Sequence, residues 1–141
     1  MPEGLVLAFD FGTRRIGVAL GEASLGTARP LTTIDNAAND ARFEAIGKLI
    51  AEWQPVRLVV GLPLAMDGSE HEMTGRCRRF AQQLEGRYRL PVELVDERLT
   101  SVEAESHLAG RGLDWKQRKA ELDAEAAATI LESYFASAHH P

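Results

Sequence analysis

Apolar and polar positions along the chain fall into blocks of two different periods. Leu5 to Phe9 is an unbroken apolar run that ends at Asp10, and beyond Phe11-Gly12-Thr13 a second run, Ile16 to Leu20, stops at Gly21. Such runs, bounded by glycine and polar residues, predict two buried strands joined by a tight turn. A third strand is expected at about Ala28 to Ile34, where Pro30 lacks a ladder donor and directs it to a sheet edge. The period then changes to 3.6. Phe43, Ile46, Leu49, Ile50 and Trp53 form a helical stripe that Asn39 or Asp40 can cap and Pro55 stops. Val56 to Val60 reads as a strand with Gly61-Leu62-Pro63 at its exit, and a Met66-Asp67-Gly68-Ser69 turn leads into a helix with apolar positions Met73, Cys77, Phe80, Ala81, Leu84 and Tyr88. Val92 to Val95 is the last strand. Thr100 or Ser101 can cap a short helix to Ala109, which Gly110 and Gly112 break, and a final helix spans about Ala120 to Ala138. The order β-β-β-α-β-α-β-α-α predicts an α/β domain, a mixed sheet flanked by helices.

The 141 residues suit one domain, read as 1–138 with 139–141 as a tail. The longest uncharged apolar run, Leu58 to Met66, is nine residues against roughly twenty needed to span a bilayer, so no membrane segment is expected. The N-terminus lacks the pattern of a signal peptide, and the single cysteine cannot form an intrachain disulfide, which together read as a reduced, cytoplasmic protein. Cys77 lies on an apolar stripe and is assigned to the core.

The net charge of −5 argues against a nucleic-acid partner until its distribution is considered. Residues 71–120 hold 10 basic and 8 acidic groups, whereas residues 121–141 hold 4 acidic and no basic ones. Two basic clusters stand out, Arg76, Arg78, Arg79, Arg87 and Arg89, then Arg111, Lys116, Arg118 and Lys119. A run of this kind is by default a solvated helix face.

Three carboxylates alter that reading. Asp10 closes the first, central strand and Glu97 directly follows the last, and in open α/β sheets strand ends border the ligand crevice. On the final helix Asp123 lies four residues before Ala127 and seven before Ile130, which turns it toward the core. A buried carboxylate requires a charged or hydrogen-bonded partner. Each acid has an ordinary alternative: Asp10 a turn, Glu97 a pair with Arg98 or Arg14, Asp123 the positive end of a helix dipole. Together, without matching buried bases, they favour a hard divalent cation such as Mg²⁺ over zinc, for which Cys77 and the terminal His139-His140 offer no spaced ligand set. His71 and His107 are read as surface residues.

Asp10-Phe11-Gly12-Thr13-Arg14-Arg15-Ile16-Gly17-Val18-Ala19, Gly61-Leu62-Pro63-Leu64 with Met66-Asp67-Gly68, Asp96-Glu97-Arg98-Leu99-Thr100 with Glu103-Ala104, and Asp123 with its alanines and Ile130-Leu131 follow one another in order. This set resembles the YqgF family, whose members are candidate Holliday junction resolvases or pre-16S rRNA nucleases. The resemblance implies a ribonuclease H-like fold with a five-stranded mixed sheet, and an acidic metal-binding and catalytic triad of Asp10, Glu97 and Asp123. The site so implied is that of metal-assisted phosphodiester hydrolysis, with two Mg²⁺ or Mn²⁺ ions, Asp10 bridging both. Substrate contacts are expected from Gly12, Thr13, Arg14 and Arg15 at the first turn, with Gly12 letting the backbone pass close to Asp10. Gly61 and Pro63 would shape the crevice rim, and Arg76, Arg79, Arg98, Lys116 and Lys119 would meet phosphates, the last two from a loop over 111–119.

The expected partner is nucleic acid, pre-16S rRNA or branched DNA, bound by a monomer or weak homodimer without a membrane. Processing of the 5′ end of pre-16S rRNA in ribosome biogenesis is the favoured reading, with Holliday junction resolution as the alternative. Two further classes compete: an actin-like or sugar-kinase-like ATPase, disfavoured because the chain is too short for two lobes, and a non-catalytic RNA-binding assembly or transcription factor.

Overall fold

The computed structural model describes residues 4–36, 39–65, 67–97 and 115–138. Its strands are β1 (Leu5–Phe11), β2 (Arg15–Glu22), β3 (Thr27–Asp35), β4 (Arg57–Leu62) and β5 (Val92–Asp96), and its helices α1 (Asn39–Trp53), α2 (Glu72–Tyr88) and α3 (Trp115–Ala138). One five-stranded sheet results, in the order β3-β2-β1-β4-β5. The β1-β2 and β2-β3 pairs are antiparallel, and β1-β4 and β4-β5 are parallel. β1 is therefore central, as its continuous apolar run requires. β3 is an edge strand, and its register with β2 shifts between Val18 and Ala19, opposite Thr32 and Pro30. The proline thus sits at a bulge on an edge, where its missing N–H costs no central ladder bond.

Strand alternation divides the interior into two layers. Leu7, Phe9, Phe11, Ile16, Val18 and Val60 face α1 and α2, where Phe43, Ile46, Cys77, Phe80 and Leu84 complete the larger core. Val6, Ala8, Ala19 and Val59 face α3 and meet Ala127, Ala128, Ile130, Leu131 and Phe135. The alanines of α3 let it lie very close to the sheet. A Cβ added at Gly17 would fall 1.9 Å from the carbonyl oxygen of Asp123, so the backbones of β2 and α3 touch there.

Cys77 is 1 % exposed and belongs to the core, as its stripe predicted. Burial, followed by the charges of Glu97 and Asp10, pushes its thiol up to about 12, which leaves it an inert apolar group. The final helix begins at Trp115 and not near Ala120, so residues 115–119 are helical and not part of a loop. The run Trp115-Lys116-Gln117-Arg118-Lys119 contains no glycine or proline, and its good helix formers extend the helix by more than a turn. The expected helix from Thr100 or Ser101 to Ala109, the glycine breaks at 110 and 112, His107 and the 139–141 tail lie outside the described residues. Among the described residues no helix is long and apolar enough to cross a membrane.

Candidate active site

The site grows from the β1-β2 turn. Gly12 donates its N–H to the Arg15 carbonyl at 2.9 Å and closes the turn. A Cβ at Gly12 would stand 2.7 Å from that same oxygen, so the glycine serves the close approach of the Arg15 backbone and not of Asp10, as the sequence reading had it. Thr13 and Arg14 are exposed at the tip of this turn. Asn36 latches the turn from outside: its Nδ2 donates to the Gly12 carbonyl at 2.7 Å and its backbone N–H to the Arg14 carbonyl at 2.9 Å.

Asp10 lies opposite Gly17 in the β1-β2 register. Gly17 is the residue on which the Asp123 backbone rests, so β2 places Asp123 across from Asp10. Glu97 follows β5, and its N–H donates to the Leu62 carbonyl at 3.2 Å. Its carboxylate folds back over Gly61, where an added Cβ would come 2.1 Å from Oε2. Gly61 is thus a cradle for the Glu97 carboxylate, a more specific role than shaping the rim. Pro63 turns its carbonyl to the buried Thr74 hydroxyl, which ties the β4 exit to α2.

The carboxyl groups of Asp10 and Glu97 are within hydrogen-bond reach of each other. Burial, then the charge of Asp123, raises Asp10 to about 6. Burial, then the charge of Asp10, raises Glu97 to about 8. Two such acids can coexist only with a shared proton or with a cation between them. Asp123 belongs to the same field but is otherwise engaged: its Oδ2 accepts from Arg15 Nε at 2.7 Å. With that oxygen turned to Arg15, no three His, Cys, Asp or Glu side chains among the described residues form a ready metal cage. The helix-dipole explanation for Asp123 fails, because the residue lies more than two turns inside α3 and the dipole acts within the first turn. The donor chemistry fits a hard cation: two clustered carboxylates, one seated on a glycine cradle, with a third held in reserve by an arginine.

This arrangement gives a pH dependence of definite sign. The folded state holds protons on Asp10 and Glu97 that the unfolded chain, with carboxyls near 4, has already released. Their contribution to stability is complete below about pH 4 and is lost as pH rises through 6 and then 8. Metal-free protein is therefore expected to unfold at lower urea concentration at pH 8 than at pH 5. Mn²⁺ should restore the midpoint at pH 8, and a midpoint that rises with pH would contradict the shared-proton pair.

Among the expected phosphate contacts, Arg76 and Arg79 lie exposed on α2. Lys116 and Lys119 lie in the first turns of α3, with their side chains outside the described residues, as is Arg98 altogether. Arg15 is engaged with Asp123. Sequence reasoning missed Arg42, which stands beside Arg76 and Arg79 at the same end of the sheet. It stands alone in the chain, outside both basic clusters, and its position just before Phe43 on the α1 stripe is the only local signal.

The RuvX family, described as Holliday junction resolvase, matches residues 4–137. A candidate pre-16S rRNA nuclease from Methylobacillus flagellatus is 58 % identical, with 96 % of this chain and 97 % of the relative covered. Another of the same name from Dechloromonas aromatica is 56 % identical over 97 % of this chain and 94 % of its own. The fold is shared with the Thermus thermophilus RuvC solved with a Holliday junction substrate, at a TM-score of 0.52, 16 % identity, and 95 % and 94 % coverage of the two chains. It is also shared with the fowlpox virus resolvase solved with Holliday junction DNA, at a TM-score of 0.58, 10 % identity, and 96 % and 99 % coverage. With a ribonuclease H-like sheet, the acidic cluster at its end and near-complete alignment to these relatives, the chain belongs to the RuvX family of Holliday junction resolvase-like nucleases.

Proposed function

We propose that this chain is a metal-dependent nuclease that hydrolyses phosphodiester bonds of structured RNA, processing the 5′ end of pre-16S rRNA in the cytoplasm. The observation that carries the reading is the Asp10-Glu97 carboxyl pair, partly buried at one end of the sheet with Glu97 seated on Gly61. The names of the relatives at 58 % and 56 % identity support the RNA substrate. The family description and the RuvC-like fold support junction DNA as the second reading. The chain would act as one domain over residues 1–138, as a monomer or weak homodimer.

Asp10 and Glu97 would hold the ion or ions, and Asp123 would join them once Arg15 releases it. Bound there, Mg²⁺ or Mn²⁺ supplies a water nucleophile acidified toward neutral pH and neutralises charge developing on the phosphoryl oxygens. The protein contributes the rest. The latched Gly12 turn fixes the end of β1, so Asp10 is oriented before substrate arrives. Exposed Thr13 and Arg14 meet the backbone beside the scissile phosphate, and Arg15, when freed from Asp123, adds a further cationic group. Glu97, raised to about 8, keeps the ion-free Asp10-Glu97 pair near one net charge at neutral pH and would ionise fully against a bound cation. The test is cleavage of precursor 16S rRNA and of a four-way DNA junction side by side, with and without Mn²⁺. Metal-dependent trimming of the RNA is expected, and cleavage of the junction alone would exchange the two readings.

A further inference from the structure

Behind the carboxylate centre, on the opposite face of the sheet, lies a pocket that the reaction does not use. Asp10 and Phe11 are neighbours on β1, so their side chains point to opposite faces. The Phe11 side opens into a cavity of about 220 Å³ lined by Phe11, Arg42, Arg76, Arg79, Phe80 and Gln83. Three guanidiniums converge here, and no carboxylate lines the cavity. Among the described residues the ion pairs involve Arg15, Lys48 and Arg78, and none involves Arg42, Arg76 or Arg79.

Arg42 is fixed in place. Its guanidinium lies 5.5 Å from the Phe11 ring centre and 5.1 Å from that of Phe43, and its Nη1 donates to Asn36 Oδ1 at 2.7 Å. An arginine held this way has already given up most of its rotamer freedom, and with its Nε buried it is the N–H groups of Nη1 and Nη2 that it can offer an anion. Burial first, and then the charges of Arg76 and Arg87, lower its pKa, so the neighbouring arginines add to a cost set mainly by desolvation. The cavity is smaller than the roughly 300–1,000 Å³ clefts that take drug-sized ligands, which suits a single phosphate group. Asn36 connects it to the site, since the same amide that accepts from Arg42 donates to the Gly12 carbonyl in the catalytic turn.

From this geometry we infer that Arg42, Arg76 and Arg79 form a second phosphate subsite, which grips a backbone phosphate of the same strand whose neighbouring bond enters the Asp10-Glu97 centre. The strand wraps the end of the sheet, from the α3 face to the α1-α2 face. The inference rests on the nuclease reading for the identity of the strand, and its test is separable from that reading.

The test is performed on full-length protein in EDTA, so that no cleavage occurs. Binding of a short single-stranded RNA is followed by fluorescence anisotropy, and binding of inorganic phosphate by calorimetry. Arg42→Gln and, separately, Arg79→Gln are expected to weaken RNA binding about tenfold or more and to reduce its salt slope by about 0.7. Arg42→Lys should recover only part of the affinity, because the fork is lost while the charge remains. Inorganic phosphate should compete with the RNA. Arg29→Gln is the control of equal charge change, since Arg29 lies exposed on β3 over Trp53. Unchanged RNA binding in Arg79→Gln, which removes an exposed group and spares the fold, would overturn the subsite. An equal loss in Arg29→Gln would overturn it too, and so would phosphate binding that the variants abolish while RNA binding stays intact. If wild-type protein cuts neither RNA nor junction while Arg42→Gln still weakens RNA binding, the nuclease reading falls and the subsite stands.

Discussion

Asp10→Asn is expected to lower Mn²⁺-dependent cleavage by about a thousandfold or more while leaving the fold intact. The size follows from position: Asp10 sits at the end of the central strand, touches the Glu97 carboxyl and lies in the field of Asp123. No other described carboxylate can replace it, because Glu97, on the Gly61 cradle, and Asp123, paired with Arg15, already have places of their own in the site. Removing one ligand charge weakens the cation and, with it, several kcal/mol of transition-state stabilisation, where each 1.4 kcal/mol is about tenfold in rate. Asn is nearly isosteric and neutral, so the cost of two like charges in one partly buried site disappears. The variant should therefore unfold at the same or higher urea concentration than wild type at pH 8 without metal, and its calorimetric Mn²⁺ signal should vanish. Glu97→Gln should act in the same direction through the same site. Cleavage by purified Asp10→Asn at the wild-type rate would remove Asp10 from the centre, whatever its stability.

Much of this arrangement is legible in the residue pattern, and the exceptions share a physical cause. The runs Leu5–Phe9 and Ile16–Leu20 are buried on both faces, so they read as strands without ambiguity, and Pro30 places its strand at the edge by hydrogen bonding alone. The position of Asp123 follows from a 3.6-residue period, which identifies the face of the helix but not the partner across from it. That partner, Arg15, is 108 positions away in sequence. Periodicity equally could not show that Gly61 carries Glu97 or that Gly17 carries α3, since a glycine's function there is the absence of a side chain beneath another element. The start of α3 is not legible because Trp115 to Lys119 holds a single apolar residue and offers no stripe to follow. Arg42 was overlooked because sequence clusters count neighbours in the chain, whereas its companions Arg76 and Arg79 come from a different helix.

Gly17→Ala is the second change with a large expected effect, and it separates close packing from metal chemistry. The added Cβ would lie 1.9 Å from the Asp123 carbonyl oxygen, 2.3 Å from its carbon and 2.9 Å from the Ala124 nitrogen. All three are backbone atoms, so no side chain can swing aside, and either α3 lifts from β2 or the strand sinks. Overpacking of this kind costs about 1–3 kcal/mol, which for a chain of this size is a fall in Tm of roughly 2–10 °C. Activity should fall further than stability, because the helix that must move is the one that carries Asp123 to the Asp10-Glu97 pair. A displacement of about 1 Å is enough to cost a hundredfold in rate. Gly86→Ala gives the opposite case: nothing lies within 4 Å of its Cβ, and it occupies the last turn of α2. Alanine there should raise stability by at most about 0.5 kcal/mol, less than in a helix interior, and leave cleavage unchanged. Thermal melts and Mn²⁺-dependent cleavage measured on the two variants together decide the matter. If Gly17→Ala melts and cuts like wild type, α3 does not rest on β2 as closely as 1.9 Å implies, and the placement of Asp123 at the site falls with it.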